Sequence, residues 1–293
     1  MKPTPFTYHR PATIPEAVAL LAELAPQEGR VLAGGQSLVP IMAFRLARPV
    51  HLIDINRVAG LDRLEVAEGR LRIGARVRHA AFHRPAAAGP LGALLTIAAR
   101  DIAHYPIRMR GTFCGSLAHA DPAAEWGLVA ATLDAALVAI SRRGERTIPA
   151  GDFFQGVMET ALSPDELLIE ASLPVLPPAA RFGFAEFSRR PGDYALAMAL
   201  AVLEIAGGAI VNPRLGIGGV ESCPRRLVAA EAVLAGAAPS AAVFREAGAI
   251  AAASIAPLED PQTDARYRRE LVAAMVGRAL ALACAEVRAE ALE

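Results

Sequence analysis

Apolar and polar positions divide the chain into a first stretch of intermixed short strands and helices and a second in which strands precede helices. Thr13-Ile14-Pro15-Glu16 reads as a capping box with proline at an early helical position, and predicts a helix to about Ala25. Val31 to Ala33 is a short apolar strand broken by Gly34-Gly35, and Val50 to Ile55 is a second, ending in the polar Asp54 and Asn56. The segment between them, Leu38 to Arg45, has helical spacing. Leu64–Val66 and Leu71–Ile73 flank Glu68-Gly69, a hairpin signal, and Leu91 to Arg100 is again helical in period.

Mixed patterning continues to about Leu173. Pro174, Pro177 and Pro178, separated by small and apolar residues, then form the best linker, because consecutive prolines favour extended chain and end regular elements. Beyond them come strand-like runs at Phe182–Ser188, Ala195–Ile205 and Ile210–Gly218, followed by three Ala-rich helical patterns running to the C-terminus. The expected class is α+β, in two domains, 1–176 and 177–293. A length of 293 residues suits two domains.

Composition narrows the range of partners. Apolar residues are 54% and charged residues 20%, an ordinary globular balance. Thirty basic and thirty acidic side chains cancel, so the positive field that nucleic acid requires is missing. The N-terminal ten residues are polar and proline-containing, and no run approaches the ~20 apolar residues of a membrane span, so a cytoplasmic protein is expected. Cys114, Cys223 and Cys284 are too few and too dispersed for a disulfide framework, a zinc site or the four-thiolate set of a conventional iron–sulfur cluster.

Two segments carry candidate chemistry. In Ala33-Gly34-Gly35-Gln36-Ser37-Leu38, paired glycines leave a strand and enter a helix with a hydroxyl at its start. That arrangement suits a phosphate or pyrophosphate, and equally a tight turn with Ser37 as N-cap. Gly111-Thr112-Phe113-Cys114-Gly115-Ser116 repeats the ingredients in a loop that leads to Asp121-Pro122, where Asp121 suits either a ligand contact or a helix cap. Neither segment is a P-loop, since no Gly-Lys-Ser/Thr occurs and the only lysine is Lys2; Gly-x-Gly-x-x-Gly is absent after Val31. His104 and His119 lie 15 residues apart without a third ligand and read as structural.

Taken together, these two segments, the continuation Leu117-Ala118-His119-Ala120-Asp121-Pro122-Ala123-Ala124-Glu125 and Gly192-Asp193-Tyr194-Ala195 resemble the FAD-binding medium subunit of molybdenum hydroxylases. That family includes the medium subunit of carbon monoxide dehydrogenase and the flavin domain of xanthine dehydrogenase. Phe6 to Pro11 and Ala161 to Leu168 resemble it too, so the likeness spans nearly the whole chain. It implies a two-part FAD-binding domain of the vanillyl-alcohol-oxidase (PCMH) type, divided near residue 56. A small C-terminal α+β domain like that of the carbon monoxide dehydrogenase flavoprotein follows.

The resemblance also implies roles. Leu32, Ala33, Gly34, Gly35, Gln36, Ser37 and Leu38, with Thr112, Phe113, Cys114, Gly115 and Ser116, would line the FAD diphosphate and ribityl chain. Ile102 would pack beside the cofactor. Asp121 would lie at the site and Glu125 would hold ribose hydroxyls, with Leu168 and Tyr194 near the isoalloxazine ring. No catalytic or metal-binding residue is implied in this chain. Two 2Fe-2S clusters in a small partner subunit and the molybdenum cofactor in a large one would complete a dimer of heterotrimers.

Two departures stand out. Relatives usually carry Gly-Gly where this chain has Cys114-Gly115, so Cys114 is expected at negative φ, and they often place a lysine near the flavin where this chain reads Ala185-Glu186-Phe187-Ser188. A self-contained flavin oxidase and a non-catalytic nucleotide-binding module are the competing readings.

Overall fold

The computed structural model describes residues 2–261 and 263–285; the end of the last helical pattern, residues 286–293, lies outside the described residues. The chain opens with strand β1 (Thr7–His9) and helix α1 (Ile14–Leu24), whose N-cap Thr13 Oγ1 accepts from the Glu16 amide at 3.3 Å. Glu16 reaches back one residue further than a capping box requires, accepting from the Ala12 amide at 2.7 Å. Then come β2 (Gly29–Leu32), α2 (Leu38–Ala43) and β3 (His51–Asp54). These strands form a parallel sheet in the order β1-β3-β2, with α1 and α2 as the crossovers that parallel pairing demands.

Next is the hairpin β4 (Leu64–Ala67) and β5 (Arg70–Gly74), closed by Glu68 and Gly69, both at positive φ. Four helices follow: α3 (Gly89–Asp101), α4 (Tyr105–Arg108), α5 (Phe113–His119) and α6 (Glu125–Thr132). The hairpin β6 (Ala136–Ser141) and β7 (Gly144–Pro149) leads through α7 (Ala150–Phe153) and the short pair β8 (Phe154–Gly156) and β9 (Glu159–Thr160) to β10 (Leu167–Pro174). Strand β10 inserts between the two hairpins, giving an antiparallel sheet in the order β4-β5-β10-β6-β7. Helix α6 is buried along its whole length, as its nearly all-apolar sequence requires.

After the prolines come β11 (Arg181–Phe187), β12 (Ala197–Ala206), β13 (Ala209–Gly218) and the short β14 (Arg225–Arg226), in sequential antiparallel order. Helices α8 (Val228–Leu234), α9 (Ala241–Ser254) and α10 (Ala265–Cys284) follow, the last two capped by Ser240 and Asp264. Both faces of this sheet are covered. Met198, Leu200 and Val202 of β12 join the core of the first part of the chain, whereas Ala197, Ala199, Ala201 and Leu203 join a second core with Val272, Met275 and Ala279 of α10. That double burial explains why β12 reads as a continuous apolar run rather than an alternation.

Candidate cofactor-binding site

A cleft of about 380 Å³ opens where the parallel sheet, the α3–α6 helices and the loop before β12 meet. Its first wall is the segment from Leu32 to Leu38, which leaves the C-terminal end of β2 and enters α2. Gly35 sits at φ +72, a conformation that glycine adopts without penalty. Ser37 is the residue preceding α2 but is itself αR, and its hydroxyl makes no cap bond. Among the described residues no protein acceptor takes the amides of Gly34, Gly35, Gln36 or Ser37. Four unfilled donors around a hollow are what an anionic group needs.

The second wall is built differently. Thr112 caps α5, its Oγ1 accepting from the Gly115 amide at 3.0 Å, while the Ser116 amide bonds to Thr112 O. Gly115 and Ser116 face the cleft. Phe113 is fully buried, with ring centroids 4.8 Å from Trp126 and 5.6 Å from Phe82. Cys114 lies within α5, hence at negative φ, and its thiol donates to Ile73 O at 3.4 Å; burial pushes that thiol far above its ordinary range. Thr112, Phe113 and Cys114 are thus turned into the protein and are not among the walls of the cleft, because Phe113 packs on Phe82 and Trp126 and draws the start of α5 into the core.

The glycines hold the two walls together more than they admit a ligand. A Cβ on Gly34 would collide with Arg110 O and stand 2.6 Å from Gly111 Cα, and one on Gly115 would stand 2.5 Å from Thr112 Oγ1. The same approach is fastened by side chains. Asn56 Nδ2 donates to Ala33 O at 2.7 Å, and Arg78 bridges Asn56 Oδ1 and Arg110 O. Asn56 and Arg78 therefore tie the loop after β2 to the loop before α5.

The remaining wall comes from Ile102, Ala103, Ala118, His119, Asp121, Glu125, Gly192, Asp193 and Tyr194. Asp121 accepts from the Ala123 amide at 2.9 Å in a turn, and α6 starts later, at Glu125, so Asp121 is not its cap. Tyr194 is 68% exposed and belongs to a loop rather than to the core. Gly192, at φ +82, leaves room for His104, whose ring a Cβ would meet at 2.5 Å. His119 lines the cleft, while His104 supports it from behind. Leu168 lies elsewhere, in a neighbouring cavity of about 270 Å³ that shares Arg30, Val31, Ala33, Gly115 and Ala118 with the cleft, so Leu168 and Tyr194 are not brought together.

One lining side chain, His79, escaped the sequence reading. His79 lines the cleft, accepts from Trp126 Nε1 at 2.9 Å through Nδ1, and is held neutral, its pKa lowered to about 4 by burial with help from Arg78 and Arg108. The proton is thereby fixed on Nε2, beside Gly111. Glu125 is only 9% exposed, and burial raises its carboxyl to about 8. Nothing in the segment around His79 distinguishes it from a loop histidine; its tautomer is set by Trp126, 47 positions away.

Paired amide-rich and capped walls around one cleft, beside an antiparallel sheet and an α+β unit, define a nucleotide-binding architecture suited to a diphosphate. Residues 4–176 match the family described as the FAD binding domain in molybdopterin dehydrogenase, and residues 182–283 match the CO dehydrogenase flavoprotein C-terminal domain; the chain belongs to this family. It is 40% identical over 281 residues to the nicotine 6-hydroxylase medium subunit of Paenarthrobacter nicotinovorans, covering 96% of this chain and 98% of that one. It is 35% identical over 289 residues to the carbon monoxide dehydrogenase medium chain of Afipia carboxidovorans, covering 98% and 100%. Among solved structures, carbon monoxide dehydrogenase from Hydrogenophaga pseudoflava superposes with a TM-score of 0.93 at 35% identity, covering 97% of this chain and 98% of that one.

Proposed function

We propose that this chain holds one non-covalent FAD in the cleft and is the electron-transfer subunit of a molybdenum hydroxylase. The observation that carries the reading is the row of unfilled amides from Gly34 to Ser37, facing Gly115 and Ser116 across the cleft. A diphosphate there gains several charge-assisted hydrogen bonds, each contributing roughly 1.5 to 3 kcal/mol. Leu32, Ala33 and Leu38 flank that row, Ile102 and Tyr194 offer apolar and aromatic surface, and Asp121 and Glu125 offer acceptors for hydroxyl groups. Thr112, Phe113 and Cys114 act indirectly, by fixing the start of α5, and Leu168 contributes from the adjoining cavity.

Bound flavin supplies the redox chemistry, accepting electrons from one donor and passing them to another acceptor. The chain's own residues bind, orient and shield it. Relatives carry the name medium subunit or medium chain, which implies a smaller and a larger companion. In our reading these are a 2Fe-2S subunit and a molybdenum-cofactor subunit, assembled with this chain as a dimer of heterotrimers in the cytoplasm, where three unpaired cysteines are at home. We divide the chain at 176/177, and the first unit again near residue 56, where the parallel sheet gives way to the antiparallel one.

The test is anaerobic. The purified chain should carry FAD that acid precipitation releases, should be bleached by an artificial donor, and should ignore organic substrates until both partner subunits are added. Substrate-driven bleaching by the lone chain at the rate of the full mixture would make it a self-contained oxidase instead.

A further inference from the structure

Glu186 keeps a buried carboxylate oxygen without a hydrogen-bond partner among the described residues. Alternate residues of a strand point to opposite faces, and Phe182 and Phe184 of β11 pack into the first core while Ala185 and Phe187 face the second. Glu186 therefore faces α3 and α4, with the charged groups of α10 beyond the other side of the sheet. Beneath it lies a hollow of about 270 Å³ that shares Ala103 and Gly192 with the cleft, so the two spaces adjoin there.

The groups facing Glu186 do not neutralise it. Arg108 of α4 commits its guanidinium to the carbonyls of Arg100, Ile102 and Ala103 and to His83 Nε2. Arg100 is exposed, and His104, Tyr105 and Ser188 complete the rim. Glu186 Oε2 is buried with no hydrogen-bond partner among the described residues. Across the wall, Glu125 of α6 is nine-tenths buried, lines the cleft and takes no hydrogen bond from any other described residue, with Asp121 and Tyr194 on the same side. Asp101 of α3 adds a third carboxyl. Burial, then repulsion from Glu125 and Asp101, raises Glu186 to about 9.

We propose that Glu186, backed by Glu125, is a proton-exchanging residue for the cleft: where it is ionised, its carboxylate takes a proton from solvent as electrons enter the bound flavin, offsetting the added charge. The proposal rests on FAD occupying the cleft, as read above. At neutral pH Glu186 already carries its proton and takes none, and a bound flavin reduced by two electrons would draw one proton from solvent and keep one negative charge. Above about pH 9 Glu186 starts ionised. The new negative charge then raises its proton affinity, and a second proton from solvent forms an O–H bond on the carboxylate. Two electrons come from the reductant and two protons from solvent; nothing else is consumed.

The midpoint potential of the flavin in the full-length chain, titrated spectroscopically across about pH 6 to 10, reads this directly. One proton per two electrons gives a slope of about 30 mV per pH unit, and each further proton adds about 30 mV more. The wild-type slope should steepen towards the doubled value above about pH 8 to 9, and Glu186→Gln, which cannot ionise, should keep the shallower slope. Identical slopes in both proteins would overturn the proposal. Should Glu186→Gln fail to fold, proton uptake by the wild type during photoreduction decides: two protons per electron pair at the alkaline end support it, and one at every pH refutes it. A wild-type chain without FAD would fail the flavin reading itself, which is a different result.

Discussion

Two glycine-and-hydroxyl loops read almost alike in the sequence, yet they face one cleft with opposite chemistry. The loop Gly34–Ser37 leaves four amides unfilled and its serine hydroxyl uncommitted. The loop Gly111–Ser116 fills its own: Thr112 takes the amides of Gly115 and Ser116, and Phe113 and Cys114 anchor the helix start in the core. The difference follows from where each helix goes. Helix α2 runs along the surface, with Val39 and Phe44 exposed, whereas α5 is driven into the core by Phe113 and Leu117. One loop leaves its amides free for a ligand; the other sets the distance between the walls.

The sharpest test of that division is a pair of valines. Gly35→Val places a β-branched residue at φ +72, which costs on the order of 1 to 3 kcal/mol, and sets its Cβ 3.2 Å from Leu32 and Val39. The chain should still fold but lose its flavin, seen as absorbance per mole of protein. Gly115→Val instead drives a Cβ against Thr112 Oγ1, so thermal stability should fall even before flavin is considered. Equal stability losses in the two variants would erase the distinction.

A gentler pair follows. Ser37→Ala should weaken FAD binding by roughly tenfold or less, the worth of one hydrogen bond, with the melting temperature of the flavin-free protein unchanged because Ser37 caps nothing. Thr112→Ala should do the reverse, costing about 1 kcal/mol of stability in denaturant titrations with little change in FAD affinity.

Stability should also fall with alkalinity. Glu125 and Glu186 have folded pKa values of about 8 and about 9, above the ordinary 4.5. The folded state therefore binds more protons than the unfolded state across that window, and stability is complete below about pH 4.5 and declines as pH rises through the folded values. Melting curves of the flavin-free chain should be lower at pH 9 than at pH 6, and Glu186→Gln should flatten the trend. The smallest effect is expected from Cys114→Gly: flavin content unchanged, with only a slight stability loss from a helical glycine.

Much of the fold was legible because its signals are local. The Thr13 cap, the Glu68-Gly69 hairpin and the three strands after the prolines depend on residues within a few positions of one another, and the observed bounds differ from the expected ones by one or two residues. The glycines and hydroxyls of the α5 segment predict a loop; burial of Phe113 and Leu117 makes it a helix. Segments 33–38 and 111–116 were legible as candidate site, but not which of their side chains would turn inward.

By itself, then, the sequence determined the family motifs, the neutral charge balance, the α+β class and the glycines at the loops, since each follows from residue type and near-neighbour spacing. Only the tertiary structure decided that Gly34 is needed for its approach to Gly111, that burial keeps His79 neutral while Trp126 sets its tautomer, and that Asn56 and Arg78 clamp the walls. It alone brought Glu186 against Asp101 and near Glu125, residues 85 and 61 positions away. Desolvation and charge coupling depend on distance in space, and chain order does not encode that distance until the sheets have packed.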